Sequence, residues 1–318
     1  MLFLRFVHAV PILIILPIFA LILTGWIARK SGALGPTATR EINRLVVYFA
    51  LPALLFDIMA RAEPHEIWQP DFILAFGFGC AVVFVLTIAV RMATGHHLVD
   101  AVIDGLTTSY ANAGFLGFPL ILAVVGESGM AATLIATILT ACVLFAFAII
   151  LIEFGLQTES SRSAIVFKTM KALIKNPLLI APTLGTVVML SPWELPDPVN
   201  VYLSLVGGAA APCALIALGL FLADRTAEQK QESWSVTGLF VILKLVAQPA
   251  LTWVAAVPIL GLPSHLANLA ILLAALPTGT GPFMLAEFYN RESILTGRMI
   301  LITTILSIGT LSVYLAIA

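Results

Sequence analysis

Ten apolar runs, each long enough to cross a bilayer, follow one another along the chain of 318 residues. A helix needs about 20 residues to cross roughly 30 Å of hydrocarbon. The runs lie near residues 10 to 28, 43 to 60, 71 to 91, 100 to 125, 130 to 153, 173 to 191, 198 to 223, 234 to 257, 266 to 289 and 294 to 317. Only 10% of the residues are charged, against about 25% in ordinary soluble domains. The pattern predicts an all-α polytopic membrane protein with ten transmembrane helices.

The charge and cysteine content exclude several other classes of function. A net charge of -1 provides no basic surface for nucleic acid. The three cysteines lie in apolar runs without metal-ligand spacing, so no disulfide framework or zinc site is expected. His96 and His97 near Asp100 resemble a metal cluster, but no further ligand stands nearby in the same loop. We therefore expect no metal site and no cofactor.

Positive charge differs sharply between the two ends of the predicted spans. The loops after spans one, three, five, seven and nine carry Arg29, Lys30, Arg40, Arg44, Arg91, Arg162, Lys168, Lys171, Lys175, Arg225, Lys230, Arg291 and Arg298. The opposite side carries Arg5 and Arg61. Because basic loops stay in the cytoplasm, both termini are expected on the non-cytoplasmic side of a cell inner (plasma) membrane.

Prolines recur at nearly constant spacing and indicate an internal repeat. The pairs are separated by 160, 160 and 158 residues, and they are Pro17 with Pro177, Pro52 with Pro212, and Pro119 with Pro277. Coincidence among 18 prolines is the alternative. Each half would hold five spans, an odd number, so the second half would enter the membrane in the opposite direction. The sequence thus predicts two inverted five-helix repeats, 1–153 and 173–318, joined by a cytoplasmic linker, 154–172.

Spans four and nine both contain helix-breaking residues near their middle. Span four reads SYANAGFLGFP at 109–119, and span nine reads LPTGTGPF at 276–283. In secondary transporters with inverted repeats, discontinuous helices in corresponding positions form the substrate site near the midplane. We expect these two interruptions to cross there, because irregular backbone at that depth must be buried in protein or line a cavity.

Each interruption should end one half-helix and begin another, whose N-terminus attracts an anion. Pro119 and Pro282 suit the first helical position, where a missing N–H is harmless. The predicted substrate-binding residues of the interruptions are Ser109, Asn112, Gly114, Gly117, Pro119, Pro277, Thr278, Gly279, Thr280, Gly281 and Pro282. The polar members either hydrogen-bond substrate or only cap exposed backbone.

Lys244 lies about 15 Å deep in span eight, at 1.5 Å per residue. An ionisable group at that depth is a functional hypothesis by default. Lys244 is a counter-charge for an anion or a group that changes protonation; alternatively it pairs with an acid such as Asp57 or extends to the surface. Gln248, one turn later and before Pro249, lines the cavity or satisfies backbone that the proline frees. Both residues are included in the predicted substrate site.

NAGFLGFP at 112–119 resembles the N-x-G-F-L-G-x-P signature of the auxin efflux carrier family, which includes bacterial malonate-type carriers and is related in fold to bile acid sodium symporters. The resemblance covers the whole chain, because Pro52, Pro277 and the segment LAEFYN at 285–290 also resemble the family's sequences. It implies a scaffold of helices 1, 2, 6 and 7 and a transport core of helices 3–5 and 8–10. It further implies transport of an organic anion by an elevator-like shift of the core.

Two other classes of function fit the sequence less well than a carrier. Gly-Glu-Ser-Gly at 126–129 matches the serine motif of an intramembrane protease, but the five histidines lie at or outside span ends, so no base is within reach. No ring of charges indicates a channel. We therefore predict a secondary transporter, not an enzyme, for a malonate-like or auxin-like carboxylate, with an organic-anion channel or uniporter as the alternative. Its coupling ion could be H⁺ or Na⁺, and its scaffold helices could form a homodimer in the lipid bilayer.

Overall fold

The described part of the protein is almost wholly helical. The structure, a computed structural model, describes residues 2–157, 162–224, 233–291 and 293–317, and side chains only from Leu16 onward, without those of 162–166 and 169. Within these residues there is no strand, only one isolated bridge. The main helices are α1 Leu2–Lys30, α2 Ala38–Ala60, α3 Pro70–Ala93, α4 Leu98–Ser109, α5 Ala113–Val124, α6 Glu127–Gly155, α7 Arg162–Lys175, α8 Pro177–Met189, α9 Asp197–Ala223, α10 Trp234–Ile259, α11 Ser264–Ala274, α12 Gly281–Phe288 and α13 Ile294–Ile317.

Six of these helices are long and apolar enough to cross a membrane: α2, α3, α6, α9, α10 and α13. Three shorter apolar helices, α5, α8 and α11, lie within the other predicted spans. The division of spans four and nine into two helices each agrees with the interruptions expected from their sequence. The count of ten spans stays a prediction, as do the sides of the membrane. Arg225, Lys230 and positions 158–161 of the predicted linker lie outside the described residues.

The predicted linker contains a helix of its own. Helix α7 spans Arg162–Lys175, and Asn176 separates it from the next helix. The side-chain oxygen of Asn176 accepts a hydrogen bond from Leu178 N at 3.0 Å, and Pro177 takes the first helical position. Asparagine followed by proline is a strong helix start, so α8 begins at Pro177 instead of residue 173.

Membrane prolines are accommodated by short π-helical segments. Val46–Ala50 precedes Pro52, Leu243–Ala247 precedes Pro249, and Ala255–Ile259 contains Pro258. A proline cannot donate to the preceding turn, and a π segment re-satisfies the carbonyls that it frees. These three prolines therefore lie beside or within π-helical turns of helices that continue past them.

Glycines bring two pairs of helices into close contact. Gly25 of α1 packs on the backbone of Ile216, and Gly219 of α9 packs on the backbone of Ile22. Gly185 of α8 lies against α2, where a Cβ would come within 2.6 Å of Phe56 O. Small residues allow such backbone approach in membrane helices, where dispersion replaces the hydrophobic effect. The result is one tight pair formed by α1 and α9 and another formed by α2 and α8.

A second set of helices packs through buried polar groups. Arg91 at the end of α3 donates to Asp104 of α4 at 2.6 Å, and both residues are 6% exposed. At the end of the same region, Arg291 donates two hydrogen bonds to Asp100, at 2.7 and 2.6 Å, which raise the pKa of its guanidinium above the ordinary value. These pairs join α4 to α3 and to the segment after α12. Asp104 is thus a buried ion-pair partner.

Candidate substrate site at two interrupted helices

The first interruption occupies only three residues. Helix α4 ends at Ser109, Tyr110 is extended, and α5 begins at Ala113 as a π-helical segment that becomes α-helical at Phe118. The N–H groups of Leu116 and Gly117 both donate to Asn112 O, at 3.0 and 3.2 Å. The prediction that Pro119 would start the second half-helix is therefore wrong. The π-helical segment precedes the proline, and α5 begins six residues earlier, at Ala113, with Asn112 as the residue before it.

The second interruption is longer and follows the sequence prediction more closely. Helix α11 ends at Ala274, residues 275–280 are irregular, and α12 begins at Gly281 with Pro282 in its first turn. Thr280 precedes the helix without a side-chain cap. Pro282 therefore stands where its missing N–H is harmless.

The two interruptions pair directly through their backbones. Ala111 and Thr278 form an antiparallel bridge, in which Asn112 N donates to Pro277 O at 2.9 Å and Gly279 N donates to Tyr110 O at 3.1 Å. Backbone groups away from water must find partners. Each break therefore satisfies the other, which allows two non-helical segments to persist in the interior.

Glycines at the pairing are required by the ring of Tyr110. A Cβ on Gly279 would lie 2.8 Å from the Tyr110 ring, and one on Gly281 would lie 3.0 Å from it. The same ring packs edge-to-face on Phe145, with centroids 6.0 Å apart. On the other interruption, a Cβ on Gly114 would lie 3.1 Å from Cγ2 of Thr137. The glycines thus serve close packing in this arrangement.

Gly279→Ala is expected to lower the free energy of unfolding in detergent by about 1–3 kcal/mol, because an added methyl in a full site forces its neighbours to move. Thermal or denaturant unfolding of the purified protein measures this. Gly238→Ala is the matched control, since nothing lies within 4 Å of its Cβ position. Equal stability of the two variants would contradict the close packing of Tyr110 on Gly279.

Helix α10 supplies two polar side chains that hydrogen-bond to the C-terminal ends of α4 and α11. Lys244 Nζ donates to Ala274 O of α11 at 2.9 Å and to Gln248 Oε1 at 2.7 Å. Gln248 Nε2 donates to Ser109 O of α4 at 3.0 Å. Both side chains are 0% exposed. The last carbonyls of a helix lack partners within the helix, so one buried pair of side chains supplies hydrogen-bond donors to the ends of both broken helices.

Lys244 has no acidic partner in the described part of the chain. Asp57, the acid considered from the sequence, pairs with Arg61 at 2.6 Å instead. Lys244 lies within the π-helical segment Leu243–Ala247, and Gln248 follows that segment directly. Lys244 thus points inward to carbonyl and amide oxygens, and the alternative of extending to the surface does not fit its burial.

Two of the predicted polar residues are occupied by backbone. Ser109 Oγ donates to Gly105 O at 2.7 Å, and Thr278 Oγ1 donates to Thr107 O at 2.9 Å. Thr278 N donates to Thr303 Oγ1 at 3.1 Å. Both Ser109 and Thr278 are 0% exposed. In this conformation their hydroxyls stabilise the interruption and are not available to a ligand.

Asn112 and Thr280 are arranged differently. Both are half-buried, each immediately precedes a helix, and neither side chain makes a hydrogen bond to a described residue. Pro119 and Gly114 are exposed on the same segment, whereas Gly117, Pro277, Gly281 and Pro282 are buried. Among the predicted site residues, Asn112 and Thr280 therefore combine access, a free polar group and a helix N-terminus.

Sequence reasoning missed three residues that complete the arrangement. Tyr110 covers the glycines of the second interruption, Cys80 of α3 accepts from Gln248 Nε2 at 3.2 Å, and Thr303 of α13 holds Thr278 N. Tyr110 stands inside SYANAGFLGFP, and its signal in the sequence is that it directly follows the last residue of α4. Cys80 and Thr303 carry no signal in the sequence, because their role depends on which helices pack there.

Histidine and acidic side chains also come together or cap helices away from the interruptions. His97 Nδ1 accepts from Val99 N at 3.2 Å and caps α4. Glu63, His65 and Glu66 come close enough together to hold a cation, but all three are exposed. Exposed acidic groups of this kind are common without a metal.

The chain matches the family described as "Membrane transport protein" over residues 11–315. It is 28% identical over 300 residues to a "Putative malonate transporter" of Rhizobium meliloti, covering 94% of this chain and 93% of that protein. It is also 28% identical over 341 residues to "Auxin efflux carrier component 8" of Arabidopsis thaliana, covering 88% and 90%. An "Uncharacterized transporter" of Methanothermobacter thermautotrophicus is 28% identical over 306 residues, covering 94% and 96%. The protein belongs to the membrane transport protein family, the auxin efflux carrier family that its motif at 112–119 resembles, whose members are transporters and not enzymes.

Proposed function

We propose that this protein is a secondary transporter that binds a small organic anion between its two paired interruptions. The observation that carries the proposal is the difference among the polar groups there. Ser109 and Thr278 are bonded to backbone, while Asn112 and Thr280 are half-buried and unpaired among the described residues. Both unpaired residues precede a helix, where N–H groups and the helix dipole favour a carboxylate.

Lys244 supports an anionic substrate from the opposite side of the pairing. Its ammonium lies at the C-terminal end of α11, next to the interruption that leads into α12. When Lys244 is protonated, its charge is screened less than that of a surface cation, so its field extends to the nearby helix ends. Lys244 and Gln248 therefore hold the two breaks in place and add positive potential behind them. They are proposed as part of the substrate site through these effects.

The proposed architecture is ten transmembrane helices in two inverted repeats, 1–153 and 173–318. The glycine-mediated pairs support it, because α1 with α9 and α8 with α2 would be equivalent if spans one and two correspond to spans six and seven. The paired interruptions in spans four and nine would likewise correspond. The close packing of α1 with α9 and of α2 with α8 suits a rigid scaffold formed by predicted spans 1, 2, 6 and 7.

An elevator-type shift of helices 3–5 and 8–10 against that scaffold is proposed as the transport movement. Contacts that would have to change include the hydrogen bond from Asn43 Nδ2 to Met284 O, at 3.4 Å, and the ring contact of Tyr48 with Phe288, at 5.7 Å. A long hydrogen bond and an edge contact are weak, so these two contacts can be exchanged at low cost. The bonds at the pairing would move as one unit.

The proposed substrate is a carboxylate or dicarboxylate, with malonate and an auxin-like monocarboxylate as the first choices. The names of the relatives from Rhizobium meliloti and Arabidopsis thaliana support these choices. The proposal places the protein in a cell inner membrane with both termini on the non-cytoplasmic side, in contact with lipid, and with a homodimer formed through the scaffold helices. Coupling to H⁺ or Na⁺ is part of the proposal.

Counterflow in proteoliposomes tests this function. Vesicles loaded with unlabelled malonate are expected to accumulate labelled malonate in a saturable way that depends on the internal malonate. The same vesicles, energised with a sodium or a proton gradient, report the coupling ion. Saturable flux that neither gradient drives uphill would identify a uniporter, and discrete single-channel conductance would identify an organic-anion channel. Absence of flux for malonate, other dicarboxylates and indole acetate would overturn the proposal.

A further inference from the structure

A cavity of about 310 Å³ lies away from the paired interruptions, on the side that carries most of the basic residues. It is enclosed by the first turns of α2 and by the end of α12. Between Thr280 and Glu287, α12 covers about 10 Å at 1.5 Å per residue. The cavity is thus one short helix away from the proposed substrate site, at the boundary between the proposed scaffold and core.

The charges that face this cavity favour an anion. Arg40 and Arg44 stand four residues apart on one face of α2. Arg40 pairs with no carboxylate in the described part of the chain, and Arg44 has only Glu41, at 3.8 Å and exposed. Glu287, the acidic group in the lining, accepts from the hydroxyl of Ser293. Two guanidinium groups against one carboxylate leave the cavity positive.

Asn43 adds a requirement for a hydrogen-bond donor on the ligand. The residue is 3% exposed, and its Oδ1 is buried without any hydrogen-bond partner among the described residues. Its Nδ2 donates to Met284 O, so the reversed amide would place two oxygens against each other. Buried polar atoms are nearly always satisfied. An unpaired acceptor on a residue that lines a positive cavity therefore points to a ligand that is anionic and also carries a donor.

We propose that this cavity is a second anion site, for a small carboxylate with a hydroxyl or other donor group. Arg40 and Arg44 bind its carboxylate, and Asn43 Oδ1 accepts from its donor. The inference rests on the proposed function in one respect, the class of ligand. The site would collect substrate on the predicted cytoplasmic side and hold it next to the helix that leads to the interruptions.

Malate and succinate are the probes, because they differ by one hydroxyl. The melting temperature of the purified full chain in detergent is measured against the concentration of each, since a ligand that binds the folded state raises its stability. Malate is expected to bind at least threefold more tightly than succinate. The double variant Arg40→Gln/Arg44→Gln is expected to weaken malate binding at least tenfold. The effect should shrink as salt is raised, because both arginines are exposed.

Three comparisons make the result specific. Lys30→Gln removes a charge from the same side outside the cavity and should bind malate as the wild type does. In an Asn112→Ala background, where the interruption site is impaired, malate stabilisation should persist and should disappear once both arginines are replaced. Stabilisation by phosphatidylglycerol that needs both arginines, with no effect of malate, would assign the cavity to a lipid headgroup and overturn the proposal.

The outcomes separate this inference from the proposed function. If arginine replacement leaves malate binding intact in the Asn112→Ala background, or if malate and succinate bind equally, the second site as described is wrong while transport at the interruptions stands. If Asn112→Ala transports normally and malate binding still needs both arginines, the interruption site is wrong and the cavity stands.

Discussion

Asn112→Ala is expected to lower the rate of anion uptake at least a hundredfold while the melting temperature stays at its wild-type value. The side-chain amide makes no hydrogen bond within the described residues, and alanine keeps the backbone bond from residue 112 to Pro277 O. Loss of a hydrogen bond to a charged group costs about 1.5–3 kcal/mol. Two such bonds from one amide correspond to a hundredfold or more, at about 1.4 kcal/mol per factor of ten.

Ser109→Ala is the matched control for this prediction. Its hydroxyl is three residues away but bonded to Gly105 O inside α4. Uptake by this variant should stay within about threefold of wild type, because the lost bond is a local one worth about 1 kcal/mol to stability. Initial rates of labelled malonate uptake into proteoliposomes, at matched amounts of reconstituted protein, compare the two. Wild-type uptake by Asn112→Ala would contradict a substrate site at the two interruptions.

Lys244→Met is expected to lower the ratio of the maximal uptake rate to the half-saturating malonate concentration at least a hundredfold. The variant should also be measurably less stable. The change keeps most of the side-chain volume but leaves Ala274 O and Gln248 Oε1 without their donor in a fully buried place. Each unsatisfied buried acceptor costs about 1–3 kcal/mol. Removal of the positive charge should also weaken anion binding about tenfold.

Two measurements separate the parts of this effect. The melting temperature reports the lost hydrogen bonds, and the half-saturating malonate concentration reports the lost charge. Lys175→Met replaces an exposed lysine on α7 and is the control. It should change the half-saturating malonate concentration less than twofold and the melting temperature by about a degree. Unchanged malonate affinity in Lys244→Met would show that the lysine only holds the helices together. Unchanged transport would exclude both roles.

Much of the local structure follows from the kinds of residue in each run. Apolar runs became helices, and both interruptions fall inside the segments where glycine, proline and asparagine cluster. The exact restart of the helix could not be read in the same way. Pro119 suited a helix start, yet α5 begins at Ala113, because a π-helical segment can carry a proline when the surrounding helices pack well. The helix α7 within the predicted linker has a similar cause, since a basic stretch can form a helix as well as a loop.

The candidate site shows where composition stops being informative. Ser109, Asn112, Thr278 and Thr280 are equivalent as residue types, and the sequence left open which of them would bind substrate and which would only repair backbone. Their packing separates them, because Ser109 and Thr278 face Gly105 O and Thr107 O.

By itself, the sequence determined a helical membrane protein of the auxin efflux carrier type with two interrupted helices, because hydrophobicity and backbone-breaking residues act locally along the chain. Only the tertiary structure decided that the interruptions bond to each other and that Lys244 and Gln248 close the ends of α4 and α11. It also decided that Asn43 has an unpaired oxygen beside two arginines. Those facts depend on contacts between residues up to 241 positions apart, and the partners of a polar group are set by which helices meet.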